Sequence, residues 1–500
     1  MDYNEKGYLS GNSLCQYVRA WAEKVGVMKY IRLNTTVEQV IRQGGEKYSW
    51  KCRIGDDKIL LSKKLIVATG ISSTPRYPDL DYSKFLGPAI HHRYFGERYE
   101  ELVSENVKEV VVYGASKSGL DAVMQLAEAG KNIKWIIRKE GRGPPWILDL
   151  RGSRSDLTLM RIFNALAPST YQDDGFPGLH YVFKQTFLGK AVQKYALQKF
   201  RDLVIKGYKL DSPDLDERLA PMVSNHSPIW HYNVSGTDNY DTSLYDRICS
   251  GQIEVIRDTI TSLDGTKIML DSGTSLTADA VVFATGFKTT MPFFAEDVAM
   301  RIGLPSTKYT EEYLTKWTHL ETEANKKIYK ANPILQTAPK PPPYFLSNHE
   351  AGKLRLYHYI LPTDPEFLDG SLVILGSFSA ASTLQSAMIV SLWAAAYMVG
   401  KIELPSQEEI VETAAYEIRT HQIKTPGMVN DLPWISFDFL AYSTMMLKEL
   451  GLNPWRKGRW YDELVSPYTC QDYGDLAREW VEEHGTVENF DNTRNGSDSI

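Results

Sequence analysis

Apolar residues recur every three or four positions between Ser13 and Lys24, where Leu14, Tyr17, Val18 and Trp21 predict a helix. The pattern then shortens to strand-like runs, Tyr30–Leu33, Thr36–Val40, Tyr48–Cys52 and Lys64–Val67, divided by Gly and Asp clusters. The last run stops at Ala68-Thr69-Gly70. A second copy of this order returns roughly two hundred residues later, as Ile253–Ile256, Thr266–Leu270 and Ala280–Phe283 leading into Ala284-Thr285-Gly286. Between the copies, Val110–Tyr113 predicts a buried parallel strand, Gly114–Gly119 a turn, Leu120–Ala129 a helix closed by Gly130, and Ile133–Ile137 the next strand. That is one complete βαβ unit.

Aromatic and helical patches such as Phe183, Phe187, Tyr195 and Phe200 predict a helical insertion over about 148–240. The five prolines from Pro333 to Pro343 predict an extended connection. No charge occurs between Asp369 and Lys401, but Gly376, Ser377, Ser379, Ser382, Thr383, Gln385 and Ser386 break the run. A strand at Leu372–Leu375, a turn and a buried helix at Thr383–Val399 explain that break, and a membrane span of about 20 apolar residues does not. The fold class expected is α/β, with two Rossmann-like nucleotide-binding domains and a helical insertion. One nucleotide-binding half is expected to be discontinuous, 1–105 and 288–485, around the other at 106–287, and 486–500 is a flexible tail.

Composition narrows the chemistry. At 500 residues, 43% hydrophobic and 24% charged, the chain is an ordinary globular protein of about three domains by length. Its net charge of −6 offers no footprint for nucleic acid. Cys15, Cys52, Cys249 and Cys470 show no C-x-x-C spacing, which argues against a metal site, a disulfide framework and a redox pair. The polar start, Met1-Asp2-Tyr3-Asn4, does not read as a signal peptide, so a cytoplasmic setting is expected, with membrane association left open and the oligomeric state unassigned.

The turn Gly114-x-Ser116-x-x-Gly119 departs from the dinucleotide fingerprint only at its middle glycine. The first glycine permits the tight turn, the last lets helix pack on strand, and serine is small enough to let a pyrophosphate approach. The helix behind it aims free N–H groups and partial positive charge at the phosphates. The second strand ends at Arg138-Lys139, where an acidic residue would select NAD; cations there suit the 2′-phosphate of NADP(H).

With these features in place, the chain resembles the flavin-containing monooxygenases, the class that includes Baeyer–Villiger enzymes, and a fungal natural-product subgroup. The family motif F-x-G-x-x-x-H-x-x-x-(aromatic) stands as Phe85, Gly87, His91 and Phe95, between the first Ala-Thr-Gly and the Gly114 turn. The resemblance covers about Tyr8 to about Gly400. It implies that Ala68, Thr69 and Gly70 lie toward FAD, with Gly286 in the matching place of the second copy. It implies further that Gly114, Ser116, Lys117, Ser118 and Gly119 hold the NADPH pyrophosphate, that Arg138 holds its 2′-phosphate, and that Gly376, Ser377 and Gln385 approach the flavin ring.

The implied reaction uses NADPH, FAD and O2 through a flavin C4a-(hydro)peroxide to oxygenate a small apolar metabolite. No general acid or base is assigned. Phe95 in place of a Baeyer–Villiger tryptophan leans toward heteroatom or carbon hydroxylation. The family's opening strand and G-x-G-x-x-G turn for FAD is not found ahead of Tyr8. The expectations are a longer true chain, repair by another element or subunit, or a degenerate relative that binds NADP(H) without catalysis.

Overall fold

The computed structural model describes residues 10–44, 49–55, 58–70, 72–140, 143–148, 155–172, 175–207, 210, 213–224, 227–231, 236–237, 240, 242–341, 353–380, 382–426, 433–435 and 438–485. The expected tail at 486–500 and the stretch Tyr8-Leu9 lie outside them.

The first helix, α1 (Gly11–Lys24), is capped by Ser10, whose hydroxyl accepts the Ser13 amide at 3.1 Å. A three-stranded antiparallel meander follows, β1 (Val37–Arg42), β2 (Trp50–Ile54) and β3 (Lys58–Ser62), and then β4 (Leu65–Val67). Among the described residues, β4 ladders with one strand only, β13 (Leu372–Ile374), in parallel. Leu14, Tyr17, Val18 and Trp21 of α1 stand in solvent, as do Leu60, Leu61 and Ile66.

The expected strand at Tyr30–Leu33 is not one. A 3-10 turn at Met28–Tyr30 precedes it, Leu33 is exposed, and Asn34 takes φ 52°. A short apolar run becomes a strand only where an edge receives it, and none is offered here.

The central sheet has five parallel strands in the order β8-β7-β6-β12-β5, where β5 is Ala89–His91, β6 Glu109–Tyr113, β7 Asn132–Ile137, β8 Ile253–Arg257 and β12 Ala280–Phe283. Both faces are covered, which explains why β6 and β12 read as unbroken apolar runs. Val110 and Val112 face α2 (Lys117–Glu128), packing with Leu120, Val123 and Leu126. Val111 and Tyr113 face the other side, where β9 (Ile260–Asp264), β10 (Lys267–Leu270) and β11 (Ser275–Thr277) contribute Ile260, Leu263 and Ile268.

The repeat seen in the chain therefore has a physical form, a three-stranded meander and then a parallel strand ending in Ala-Thr-Gly. One boundary shifts. Ile253–Ile256 belongs to the parallel sheet against β7 and is not the first strand of the meander.

Helices α3 (Pro177–Gln185) and α4 (Phe187–Gly207) form a hairpin. Pro333–Thr337 is a 3-10 helix instead of an extended link, because Pro333 suits a first helical position and the Leu335 amide returns to the Asn332 carbonyl. After β13, helix α6 (Thr383–Met398) is buried with α7 (Gln407–Lys424) and α8 (Phe439–Glu449), while α5 (Glu311–Ala331) packs against α7. No helix among the described residues is long and apolar enough to cross a membrane.

Candidate functional site

The register places His91, Phe283, Tyr113 and Ile136 in one row across β5, β12, β6 and β7 at their carboxyl ends. Open parallel sheets bind ligands at this edge. Gly114 begins the turn there with φ 128°, and a Cβ on it would lie 2.2 Å from the Ala284 carbonyl oxygen. A Cβ on Gly119 would lie 2.3 Å from the Gly114 oxygen, so the helix abuts the turn closely. Trp135 Nε1 donates to the Gly114 carbonyl at 2.7 Å and fixes the peptide from β7.

Ser116 caps α2 without a side-chain bond, and the first helical bond runs from the Leu120 amide to the Ser116 carbonyl. The Lys117, Ser118 and Gly119 amides therefore head the helix without that capping bond. The Lys117 ammonium turns back onto the Asp121 carboxylate, with the Tyr240 ring 5.5 Å away, so what it presents to the turn is its backbone. Arg138 follows the last residue of β7, half-buried, while Lys139 pairs with Asp258 at 3.3 Å.

The motif between the two halves is largely structural. A Cβ on Gly87 would fall 1.8 Å from the Asp279 oxygen, so only glycine lets this segment run into β5 beside β12. Phe85 and Phe95 are buried, the latter stacked on His92 at 5.6 Å. His91 accepts the Arg93 amide at Nδ1 (3.1 Å), which leaves Nε2–H to donate to the Gly286 carbonyl (2.9 Å). Burial lowers its pKa, against the pull of that carbonyl, and the ring stays neutral.

The same Gly286 oxygen accepts the Arg76 amide at 3.0 Å, where Thr74–Pro75 pairs antiparallel with Phe287–Lys288. His91→Phe should cost about 1–3 kcal/mol. A His pKa depressed by folding gives stability that is present above its ordinary value of 6.5 and lost as pH falls through it. The stability gap between wild type and His91→Phe in urea titrations should therefore narrow below that pH.

The other expected residues converge at the carboxyl ends of β4 and β13. Ala68 and Thr69 are exposed, Gly70 has φ 63°, and Gly376 has φ 75° with its Cβ position 3.7 Å from Gly70 Cα. Gln385 does not join them through any observed contact. It is buried on α6, its amide nitrogen donates to the Tyr468 carbonyl at 3.2 Å, and its Oε1 has no protein partner among the described residues.

Behind Gly376 lies a network that pattern reading missed. Ser377 Oγ donates to the Tyr359 carbonyl, and His358 and Tyr359 both adopt left-handed φ, 51° and 61°. Glu417 accepts from the His358 amide (2.9 Å), His358 Nδ1 (2.7 Å) and Tyr171 OH (2.8 Å). Glu449 takes His358 Nε2 at 3.2 Å and Trp393 Nε1 at 2.7 Å. Burial opposes charge on this imidazole, but the two carboxylates outweigh it and hold its pKa at about 9.

The described aromatic residues of the insertion make separate contacts. Tyr171 joins the network just described, Phe176 meets Trp455 edge-on at 5.4 Å, Trp230 packs near Ile328, and Tyr181 is exposed. A cavity of about 460 Å³ at Lys64, Gly370 and Gly400 lies at the amino ends of β4 and β13, away from the glycine turns.

A family model described as pyridine nucleotide-disulphide oxidoreductase matches residues 2–146. The cysteines are all free, so that likeness concerns the nucleotide-binding fold and not a redox disulfide. The open crystal structure of cyclohexanone monooxygenase shares the fold, with TM-score 0.54, 11% identity, and coverage of 88% of this chain and 83% of that one.

Among curated proteins, the flavin-containing monooxygenase 5 of Rattus norvegicus is 24% identical over 304 residues, 58% of this chain and 49% of that protein. The FAD-dependent monooxygenase rstn6 of Aspergillus nomiae is 29% identical over 96% of this chain and 86% of its own length. The FAD-dependent monooxygenase resA of Aspergillus sclerotiorum is 32% identical over 95% of this chain and 85% of its own. On that likeness, and with two glycine turns standing at the ends of parallel strands, the chain belongs to the FAD-dependent monooxygenases, a family of oxidoreductases.

Proposed function

We propose that the protein uses NADPH, FAD and O2 to place one oxygen atom on a small apolar metabolite. The observation that carries this reading is the Gly114 turn, packed against Ala284 so tightly that no side chain fits, with the start of α2, which the Ser116 side chain does not cap, at its mouth. The residues present suit a dinucleotide. The amides of Lys117, Ser118 and Gly119 would take the NADPH pyrophosphate, and Arg138 the 2′-phosphate. On the other side Gly70 and Gly376 approach without side chains between them, which leaves room for a flat ring system against the backbone.

When bound, the flavin supplies the redox chemistry, passing electrons from NADPH to O2. The protein's part is to hold the two nucleotides in fixed register and to keep water away. His91 contributes to the register by tying β5 to the Gly286 turn, and Trp135 by holding the Gly114 peptide. Support also comes from the chain's likeness to named FAD-dependent monooxygenases along nearly its whole length.

The test is NADPH oxidation by purified, FAD-supplemented protein, followed with O2 uptake. Arg138→Glu should raise the KM for NADPH about tenfold or more and leave that for NADH nearly unchanged. Protein that takes up no flavin, or an NADPH preference that survives Arg138→Glu, overturns the reading. A non-catalytic NADP(H)-binding protein would bind the coenzyme and consume none.

A further inference from the structure

We infer that the α3–α4 hairpin docks the protein onto an anionic lipid surface. The turn between its helices is tight. A Cβ on Gly189 would lie 1.7 Å from the Val182 carbonyl oxygen, so the two helices meet in direct contact there. Thr186 Oγ1 closes the turn, donating to the Val182 carbonyl at 2.6 Å and accepting the Gly189 amide at 3.0 Å. Phe187 and Leu188, the first residues of α4, stand on this tip 92% and 73% exposed. Tyr181, Val182, Val192 and Tyr195 extend the same uncovered surface at 65%, 46%, 42% and 64%. Large side chains grouped in this way mark an interaction site, unlike apolar residues scattered singly.

The charge around the patch selects its partner. At about 100° per residue along α4, Phe187, Tyr195, Leu188 and Val192 fall within roughly 140° of arc, and Lys190 and Lys194 border one side of it. Lys199 falls inside the arc near its other edge, about three turns further along the helix, and all three lysines are exposed. Between residues 175 and 202 the only acidic side chain is Asp202, in a chain whose net charge is −6. Lysine is depleted in protein interfaces. An apolar convex face edged with lysine and carrying tyrosine is instead the arrangement that lies in a lipid headgroup layer, where lysine stems reach back to the phosphates. The hairpin rests on the membrane without crossing it.

The experiment is flotation of the full chain with phosphatidylcholine vesicles, with and without phosphatidylserine. Wild type should float with the phosphatidylserine vesicles and be released as salt is raised. Phe187→Ser with Leu188→Ser should cut the bound fraction about tenfold on either vesicle while leaving the melting temperature in place. Lys190→Glu with Lys194→Glu should remove only the dependence on phosphatidylserine. The inference fails if wild type stays in solution or if the serine variant floats equally. It also fails if wild type is a dimer that the serine variant turns into a monomer without any vesicle binding, since the face would then belong to a second copy of the chain.

Discussion

Gly114→Ala should reduce the rate of flavin reduction by NADPH about 100-fold, the scale of loss that a displacement of about 1 Å produces in a positioned reactant. Two effects combine at this position. The φ of 128° disfavours any side chain, and the new methyl would stand 2.2 Å from a backbone oxygen that cannot swing away. Relief requires the turn to lift from the end of β12, and the helix that follows moves with it. Strain of this kind also costs about 1–3 kcal/mol of stability. Stopped-flow reduction, with the bound flavin measured in each preparation, checks the result. Gly96→Ala is the control, because a Cβ there meets nothing within 4 Å. Equal rates for the two variants would remove the turn from the reaction.

Glu417→Ala should lower the unfolding free energy by about 3–5 kcal/mol, the cost of leaving a buried charge without its partner. That is a large part of the roughly 5–15 kcal/mol that holds a folded protein together. The carboxylate is 1% exposed and receives three donors at once, two of them from the buried His358. Glu417→Gln keeps the shape, loses the charge and should fall between.

The pH dependence separates packing from charge. A His pKa raised on folding gives stability that is complete below its ordinary value of 6.5 and lost as pH rises through about 9. Guanidinium midpoints for wild type should therefore decline across that window, and those for Glu417→Gln should decline much less. Parallel declines would show that the imidazole is not charged in the folded protein.

Pattern reading recovered what depends on neighbours in the chain. The βαβ unit was legible because β6 is buried on both faces and strand, turn and helix follow one another directly, with Gly119 packed on the Gly114 carbonyl five residues back, although the Ala284 oxygen that bars a side chain at Gly114 lies far along the chain. The strand, break and helix from Leu372 to Met398 were legible because the polar residues that interrupt the run are themselves the turn.

The rest depends on contacts that sequence spacing does not show. Tyr30–Leu33 has the residues of a strand and lacks an edge to join. His358 finds Glu417 and Glu449 at separations of 59 and 91 residues, and no local period announces such a meeting. Gly87 was placed by its family motif, but the reason it must be glycine, the Asp279 oxygen, lies just ahead of β12, far along the chain. Gln385 meets the Tyr468 carbonyl, a partner 83 residues along the chain that no local period announces.

The two connections that leave β4 and β12 touch, with Thr74–Pro75 laddered to Phe287–Lys288 and the Gly286 oxygen holding both Arg76 and His91. A lone strand between two bodies can swivel about its own axis; a stapled pair cannot. Any excursion at this crossing is thereby confined to flexing like a strip.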